Sequence, residues 1–441
     1  METTTPQFDF PFIKSRKIRV RFDEGPISTD GGAIFLRQMD ARLGFLAALA
    51  AAIPDARDPN HIEHSTLELL RQRVFSIALG YEDCNDAKTL RHDPILKSCC
   101  DRDPIEGPDL ASQPTLSRLE TSADSKRCYL FGRQLLESYF VRHPKRPPRG
   151  ITLDLDTSDD PTHGQQELSF FNAYYDEHCY LPLLIFDQQG DLLTAVLQPG
   201  KPQGAKPVVA ILERIVARIR EQWPNIRILI RGDSGFASPE MYWMCRRLKV
   251  NFVLGMGPNC RLKKLSEKLQ RKAERKFLRT GEKVRLFTSA QYRARKGWPR
   301  SYRVLIKVEH STLGANVRFV VTNLFGRPDS LYDLYVQRGE ASENSIKDLK
   351  NALQADRLSC HQFWANQFRL FLHAAAYVLM YALRRLAHGT ELAQAQMDTL
   401  RLRLLKIAVR VESTARRVWY HLTSSHPWQA IWCLIANRVL D

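Results

Sequence analysis

Two aspartates, Asp154 and Asp156, stand two positions apart in Ile151–Asp160, ITLDLDTSDD. On a strand they share one face, and Leu153 and Leu155 take the other. Carboxylates side by side repel, and one pKa rises, unless a cation stands near them. Another acid, Asp233, lies in RGDSGF, after the apolar run Arg227–Arg231 that reads as a buried parallel strand. Ligand sites in α/β sheets gather at such strand ends, and Gly232 and Gly235 permit a tight bend and the approach of a phosphate. Glu343 falls on a helical stretch, with Tyr335 and Arg338 before it and Lys347 and Lys350 after it. Three carboxylates suit a hard cation: Mg²⁺ takes oxygen ligands, commonly one or two carboxylates plus substrate phosphates. Two such ions activate a water or a 3′-hydroxyl and stabilise a leaving oxygen. Each signal alone also has a plain structural reading, as an edge strand, a turn, or an i,i+4 Glu–Lys pair on a solvated helix.

The elements that must position these acids follow from periodicity. Residues 28–141 carry helical patterns, including Ser65–Leu79 and QPTLSRLE, where Ser117 and Glu120 have capping-box spacing and Pro114 suits a helix start. They fit a helix-turn-helix-like module and a plain helical bundle equally. His143–Gly150 is a Pro-rich basic linker. Strands are expected at Ile151–Thr157, Glu167–Tyr175, Tyr180–Asp187 and Asp191–Leu197, then a helix at Ala205–Gln222, the strand Arg227–Arg231, a helix at Pro239–Leu248 and a strand at Asn251–Gly255. That is an α/β layer order. Residues 258–310 hold 17 Lys/Arg against 4 Asp/Glu, interleaved with Tyr292, Trp298 and Tyr302. A basic helix, Arg261–Arg279, followed by antiparallel strands there reads as a phosphate-gripping segment. Helices are expected again at Glu340–Ala355, Cys360–Arg385, Glu391–Val411 and Trp428–Leu440.

Composition narrows the function class. The 441 residues carry a net charge of +17, which favours a polyanionic partner. The basic N-terminal residues Lys14, Arg16, Lys17, Arg19 and Arg21 fit either a solvated edge strand or a phosphate contact. Nine scattered cysteines form no CxxC pair and read as reduced thiols. No secretory signal and no run of about 18 apolar residues is present. The expected location is therefore the cytoplasm, and Phe368–Leu383, interrupted by Arg369, His373 and Tyr377, reads as a buried helix.

Taken together, LDLDTSDDPTHGQQELSFFNAYYDEHCYLPLLIFD, RGDSGF and RGEASENSIKDLK resemble the DDE transposases of bacterial insertion sequences, in detail those of the insertion sequence 1380 family. RFDEGPISTDGGAIFL and SQPTLSRLE add to the resemblance, which covers roughly residues 20–390. It implies an α/β fold: a ribonuclease H-like core (148–257 and 326–390) interrupted by a basic β-rich insertion (258–325), an N-terminal helical DNA-binding region (1–147) and C-terminal helices (391–441). It implies Mg²⁺-dependent DNA cleavage and strand transfer, with Mn²⁺ as a substitute, by a homodimer on element ends and target DNA, associated with the bacterial nucleoid. Asp156, preceding Thr157-Ser158, matches the first catalytic acid, with Asp154 as competitor. Asp233 matches the second and Glu343 the third. Tyr335, Arg338 and Lys350 match the Tyr–Arg–Glu–Lys signature and, with Lys347, would hold DNA. Four residues separate Arg338 from Glu343 where the signature has three, which leaves Glu340 as an alternative. A structure-specific nuclease and an inactive transposase-derived DNA-binding protein are the competing functions.

Overall fold

The computed structural model describes residues 7–10, 18–21, 23–143, 149–201, 204–294 and 297–440. They divide into two compact units, one of residues 1–51, 55–119 and 379–441, the other of residues 52–54 and 120–378. The core of the linker, 144–148, and Lys14, Arg16 and Lys17 lie outside the described residues.

The second unit is built on an eight-stranded sheet. Its strands are β1 (Gly150–Thr157), β2 (Leu183–Asp187), β3 (Leu192–Val196), β4 (Arg227–Gly232), β5 (Asn251–Met256), β6 (Val284–Tyr292), β7 (Tyr302–Ser311) and β8 (Gly314–Thr322), in the order β6-β7-β8-β5-β4-β1-β2-β3. Strands β1, β4 and β5 run parallel, and every other pairing is antiparallel. The sheet is thus mixed: a β3-β2-β1 meander, two parallel strands, and a second meander continuing the same sheet. The basic segment supplies that second meander.

The alternation in β1 fixes the register. Leu153 and Leu155 are fully buried in the larger core, together with Ile228, Ile230 and the inward face of α2 (Lys206–Gln222). A one-residue slip would drive both aspartates into this core and expose both leucines, which opposes it strongly. Asp154 and Asp156 are therefore committed to the opposite face. There α5 (Pro328–Lys347) seals a smaller core with Leu331 and Tyr332 against Val253, Leu305 and Val320. Helix α3 (Pro239–Arg247) starts at a Ser238 cap with Pro239 in its first turn. Helix α4 (Cys260–Thr280) is capped by Asn259, ends at Gly281 in the left-handed region, and buries only Leu262, Ser266 and Ala273, leaving its lysines and arginines to solvent. Helix α1 (Ser125–Arg142) is capped by Asp124. Helix α6 (Phe363–Leu386) is buried along most of its length; within it Gln367 accepts from Leu197 N (2.7 Å) and donates to Ala195 O (3.2 Å), fixing the end of β3. Among the described residues no helix is long and apolar enough to cross a membrane.

Three expectations are corrected. Glu167–Tyr175 is not a strand of the main sheet: the short strands Asp160–Pro161, Phe170–Asn172 and Glu177–Tyr180 form a separate three-stranded sheet between β1 and β2. The end of the expected helix Glu391–Val411 is strand, because Val409–Thr414 pairs with Arg417–Leu422 and, across nearly the whole chain, with Ile27–Ser28. Ser117 lies inside the helix Gln113–Thr121 and not at its start.

In the first unit, the helix Thr66–Leu79 is buried almost throughout, which makes it a core helix and not one that enters a groove. Gly32 starts the helix Ala33–Leu43 where an added Cβ would meet Leu404 O at 1.9 Å, so the turn Asp30-Gly31-Gly32 serves close backbone packing. Arg19 and Arg21 lie on the strand Ile18–Arg21, paired with Gln7–Phe10. All nine cysteines are free thiols.

Candidate active site

The two strand-borne acids meet at the carboxyl ends of neighbouring parallel strands. Arg231 of β4 is in register with Asp154 of β1. Asp233 comes directly after β4 and Asp156 lies two positions past Asp154 on β1, so both acids stand at this end of the two strands. Asp233 leaves the strand into a single 3₁₀ turn, Ser234–Phe236, and its Oδ1 accepts from Gly235 N at 2.8 Å. Burial raises the Asp156 pKa; the Arg338 guanidinium opposes this and the charge of Asp233 adds to it, so the two acids sense each other.

Asp154 and Asp156 differ sharply in surroundings. Asp154 is fully buried and grips Arg231 bidentately, Nε–Oδ1 and Nη2–Oδ2 both 2.6 Å. Arg231 Nη1 also donates to Leu334 O of α5 at 2.9 Å. This one guanidinium ties β1, β4 and α5 together, a role for Arg231 that no local motif announces. Asp156 retains 22% side-chain exposure and accepts from Arg338 Nη1 at 2.9 Å.

Helix α5 and the residues after it cover this end of the sheet. The Tyr335 hydroxyl lies so close to Gly255 that an added Cβ would approach it to 2.8 Å and the backbone of Ser234 to 2.9 Å. Gly255, absent from the sequence-based site, lets the Asp233 turn and Tyr335 come together. At the glycines that the sequence singled out, Gly232 and Gly235, an added Cβ would instead meet Phe236 at 2.8 Å and the Asp233 side chain at 3.1 Å. Lys350, in the π-helical turn Asp348–Ala352, donates to Asp159 O at 2.8 Å and pairs with its carboxylate at 3.3 Å. Arg338 and Tyr335 are thus brought to Asp156 and the Asp233 turn, and Lys350 to Asp159.

Glu343 and Lys347 are not. Glu343 is 68% exposed and pairs with Lys347 at 2.9 Å, which lowers its pKa. Among the described residues no group of three or more His, Cys, Asp or Glu gathers closely enough to hold a metal ion. The alternative acid, Glu340, has its side chain outside the described residues. Two carboxylates, both half-buried, still fit a hard cation that takes its other ligands from phosphate and water.

The model of the family described as "Transposase DDE domain group 1" matches residues 10–440. The chain belongs to this family. No match is found among curated proteins. Among solved structures the chain is similar to a piggyBac transposase synaptic complex with hairpin DNA, at a TM-score of 0.43 and 11% identity, covering 91% of this chain and 83% of that one.

One further acid of this DDE transposase chain lies close to the site. Asp160 is 1% exposed, and among the described residues neither of its carboxyl oxygens has a hydrogen-bond partner. Burial raises its pKa well above the ordinary 3.8, Asp356 adds to the rise, and Lys350 opposes it. A carboxyl whose folded pKa exceeds its unfolded one holds its proton longer in the folded state. Its contribution is therefore present below pH 3.8 and is lost as pH rises toward the folded value. Asp160→Asn removes that loss. The variant should melt higher than wild type at neutral pH, by a margin that shrinks toward pH 4, as thermal denaturation across a pH series would read; a margin independent of pH would contradict it.

Proposed function

We propose that this chain is a DNA transposase of the insertion sequence 1380 type that cuts the ends of its element and joins them to target DNA with two Mg²⁺ ions held by Asp156, Asp233 and Glu343. The observation that carries this reading is the placement of Asp156 and Asp233 at the carboxyl ends of adjacent parallel strands, with Arg338 bonded to Asp156. The β3-β2-β1-β4-β5 order, a meander continued by two parallel strands, agrees with a ribonuclease H-like core.

When bound, the two ions supply an activated oxygen nucleophile and stabilise the leaving oxygen. The chain's own groups do the rest. Asp156 and Asp233 present oxygen acceptors on one rigid edge. Arg338 donates to Asp156 through Nη1 and brings a positive charge beside the two acids. Tyr335 offers a hydroxyl beside the Asp233 turn. Lys350 holds the Asp159 loop and, with Lys347, adds positive charge toward the DNA backbone. The exposed basic face of α4 extends that surface for sequence-independent phosphate contact. For Glu343 to join the set it must exchange Lys347 for a cation, which its exposure permits. Glu343→Gln should therefore leave the melting temperature unchanged and abolish cleavage. A variant that cuts DNA at the wild-type rate would transfer the third role to another acid.

The competing reading, a nuclease that cuts without joining, is separated by a strand-transfer assay with pre-cut element ends. A transposase joins the 3′ end covalently to a target plasmid in Mg²⁺. Cutting of uncut ends with no joined product would favour the nuclease.

A further inference from the structure

Helix α5 carries Arg338 and Glu343 on different faces. Arg338 donates to Asp156, whereas Glu343 faces solvent and pairs with Lys347. The helical repeat accounts for the difference. At about 100° per residue, a side chain four positions after Arg338 lies about 40° from it, and Glu343, five positions after, lies about 140° away. Further on, the chain turns back to the site: Lys350 donates to Asp159 O, in the stretch directly after β1.

Two weak points bound the segment that faces away. At its start Gly339 stands inside the helix, and among the described residues nothing lies within 4 Å of an added Cβ, so packing does not call for a glycine there. Glycine is the poorest helix former after proline. At its end α5 runs into the π-helical turn Asp348–Ala352, where Leu353 N donates to Asp348 O at 3.0 Å. A π turn bonds five residues back in place of four, so it takes up one residue more than an α turn. That extra residue is absorbed behind Glu343, which stays turned away.

We propose that Gly339 is a positioning residue for the third acid: the π turn shifts from Asp348–Ala352 to Gly339, and residues 340–347 rotate by about 100° to aim Glu343 toward Asp156 and Asp233. The inference rests on the reading of Glu343 as that acid. With the extra residue taken up ahead of it, Glu343 enters the slot four positions after Arg338. The chain from Leu353 onward keeps its register, because it still follows one π turn. Lys347 rotates together with Glu343. The move withdraws the buried Ser345, which lies against Gly190, and puts Ile346 in its place. That exchange favours the present arrangement until a cation and the DNA backbone draw the acid in.

Four full-length proteins test this: wild type, Gly339→Ala, a deletion of Gly339, and Glu343→Gln. Each is read for Mn²⁺ affinity on pre-cut element ends by electron paramagnetic resonance, for melting temperature, and for cleavage of uncut ends. Gly339→Ala should melt at or above wild type, because alanine favours the α-helical arrangement. For the same reason it should bind Mn²⁺ about 5-fold more weakly and cut correspondingly less. A glycine with a merely structural role predicts the reverse, a lower melting temperature with metal affinity untouched. Deleting Gly339 sets Glu343 four positions after Arg338 with no extra residue left to absorb, so Mn²⁺ affinity should equal or exceed that of wild type. Mn²⁺ affinity unchanged in Gly339→Ala overturns the proposal, whether or not the deletion folds. If Glu343→Gln binds Mn²⁺ as wild type does, the third-acid reading fails and the rotation with it. If Glu343→Gln weakens binding and Gly339→Ala does not, the rotation alone fails.

Discussion

Replacing Arg231 with alanine should destabilise the protein by about 3–5 kcal/mol, the cost of leaving one partner of a buried ion pair unpaired. The reasoning begins with burial. Asp154 is wholly inaccessible, and burial raises its pKa while the two bonds from Arg231 oppose the rise. Without the guanidinium the carboxylate must either ionise in an apolar setting or take up a proton. The Leu334 carbonyl also loses its donor, which loosens α5 over the sheet. A loss of this size lowers the melting temperature by roughly 10 °C for a unit of this length. The double variant Asp154→Leu, Arg231→Met removes both charges and should recover most of the loss, because apolar replacement of a buried pair is often neutral. A single variant that melts within a degree or two of wild type would show that the pair does not hold the sheet and α5 together.

Asp156→Asn should behave in the opposite way, with an unchanged fold and abolished strand cleavage. Asp156 is accessible and its partner Arg338 comes from a helix that other contacts hold in place. The loss should exceed the roughly 10–100-fold that removal of an outer-shell partner of a metal site costs. Binding of element-end DNA should persist or tighten, because one negative charge near the phosphates is gone. The contrast with Asp154→Asn is the informative part: the inner aspartate should lose stability first and activity only in consequence. Melting curves and gel-resolved cleavage of the same two preparations read both quantities. Full cleavage by Asp156→Asn beside a well-folded, inactive Asp154→Asn would reverse the assignment.

What was legible in the sequence follows the range of the interactions. The shared face of Asp154 and Asp156, and the position of Asp233 at a strand end, depend on period-two alternation and a short apolar run, both local. Helix α4 and its basic face were legible for the same reason. The division of labour between the two aspartates was not, because it depends on Arg231 standing opposite Asp154 in a pairing that spans 77 residues. Gly255 likewise acquires meaning only when Tyr335 is laid against it. The hairpin around Tyr174 reads locally as a strand because Phe170 and Phe171 supply strand-forming residues, while the turn at Asn172 is fixed by a bond to Gly200, far outside any local window. The strand at Val409–Thr414 depends on a partner at the opposite end of the chain. For Glu343 the helix was legible, but the choice between Lys347 and a cation depends on what is bound, which helical phase does not encode.

The central claim is that strand-end and helix-borne acids act together on DNA, and Asp233→Ala tests it most directly. Wild type and variant should shift element-end DNA equally in a mobility assay. In Mg²⁺ wild type should nick those ends and the variant should leave them intact, with Glu343→Ala matching it. Undiminished nicking by Asp233→Ala, on DNA that it binds as wild type does, would contradict the account.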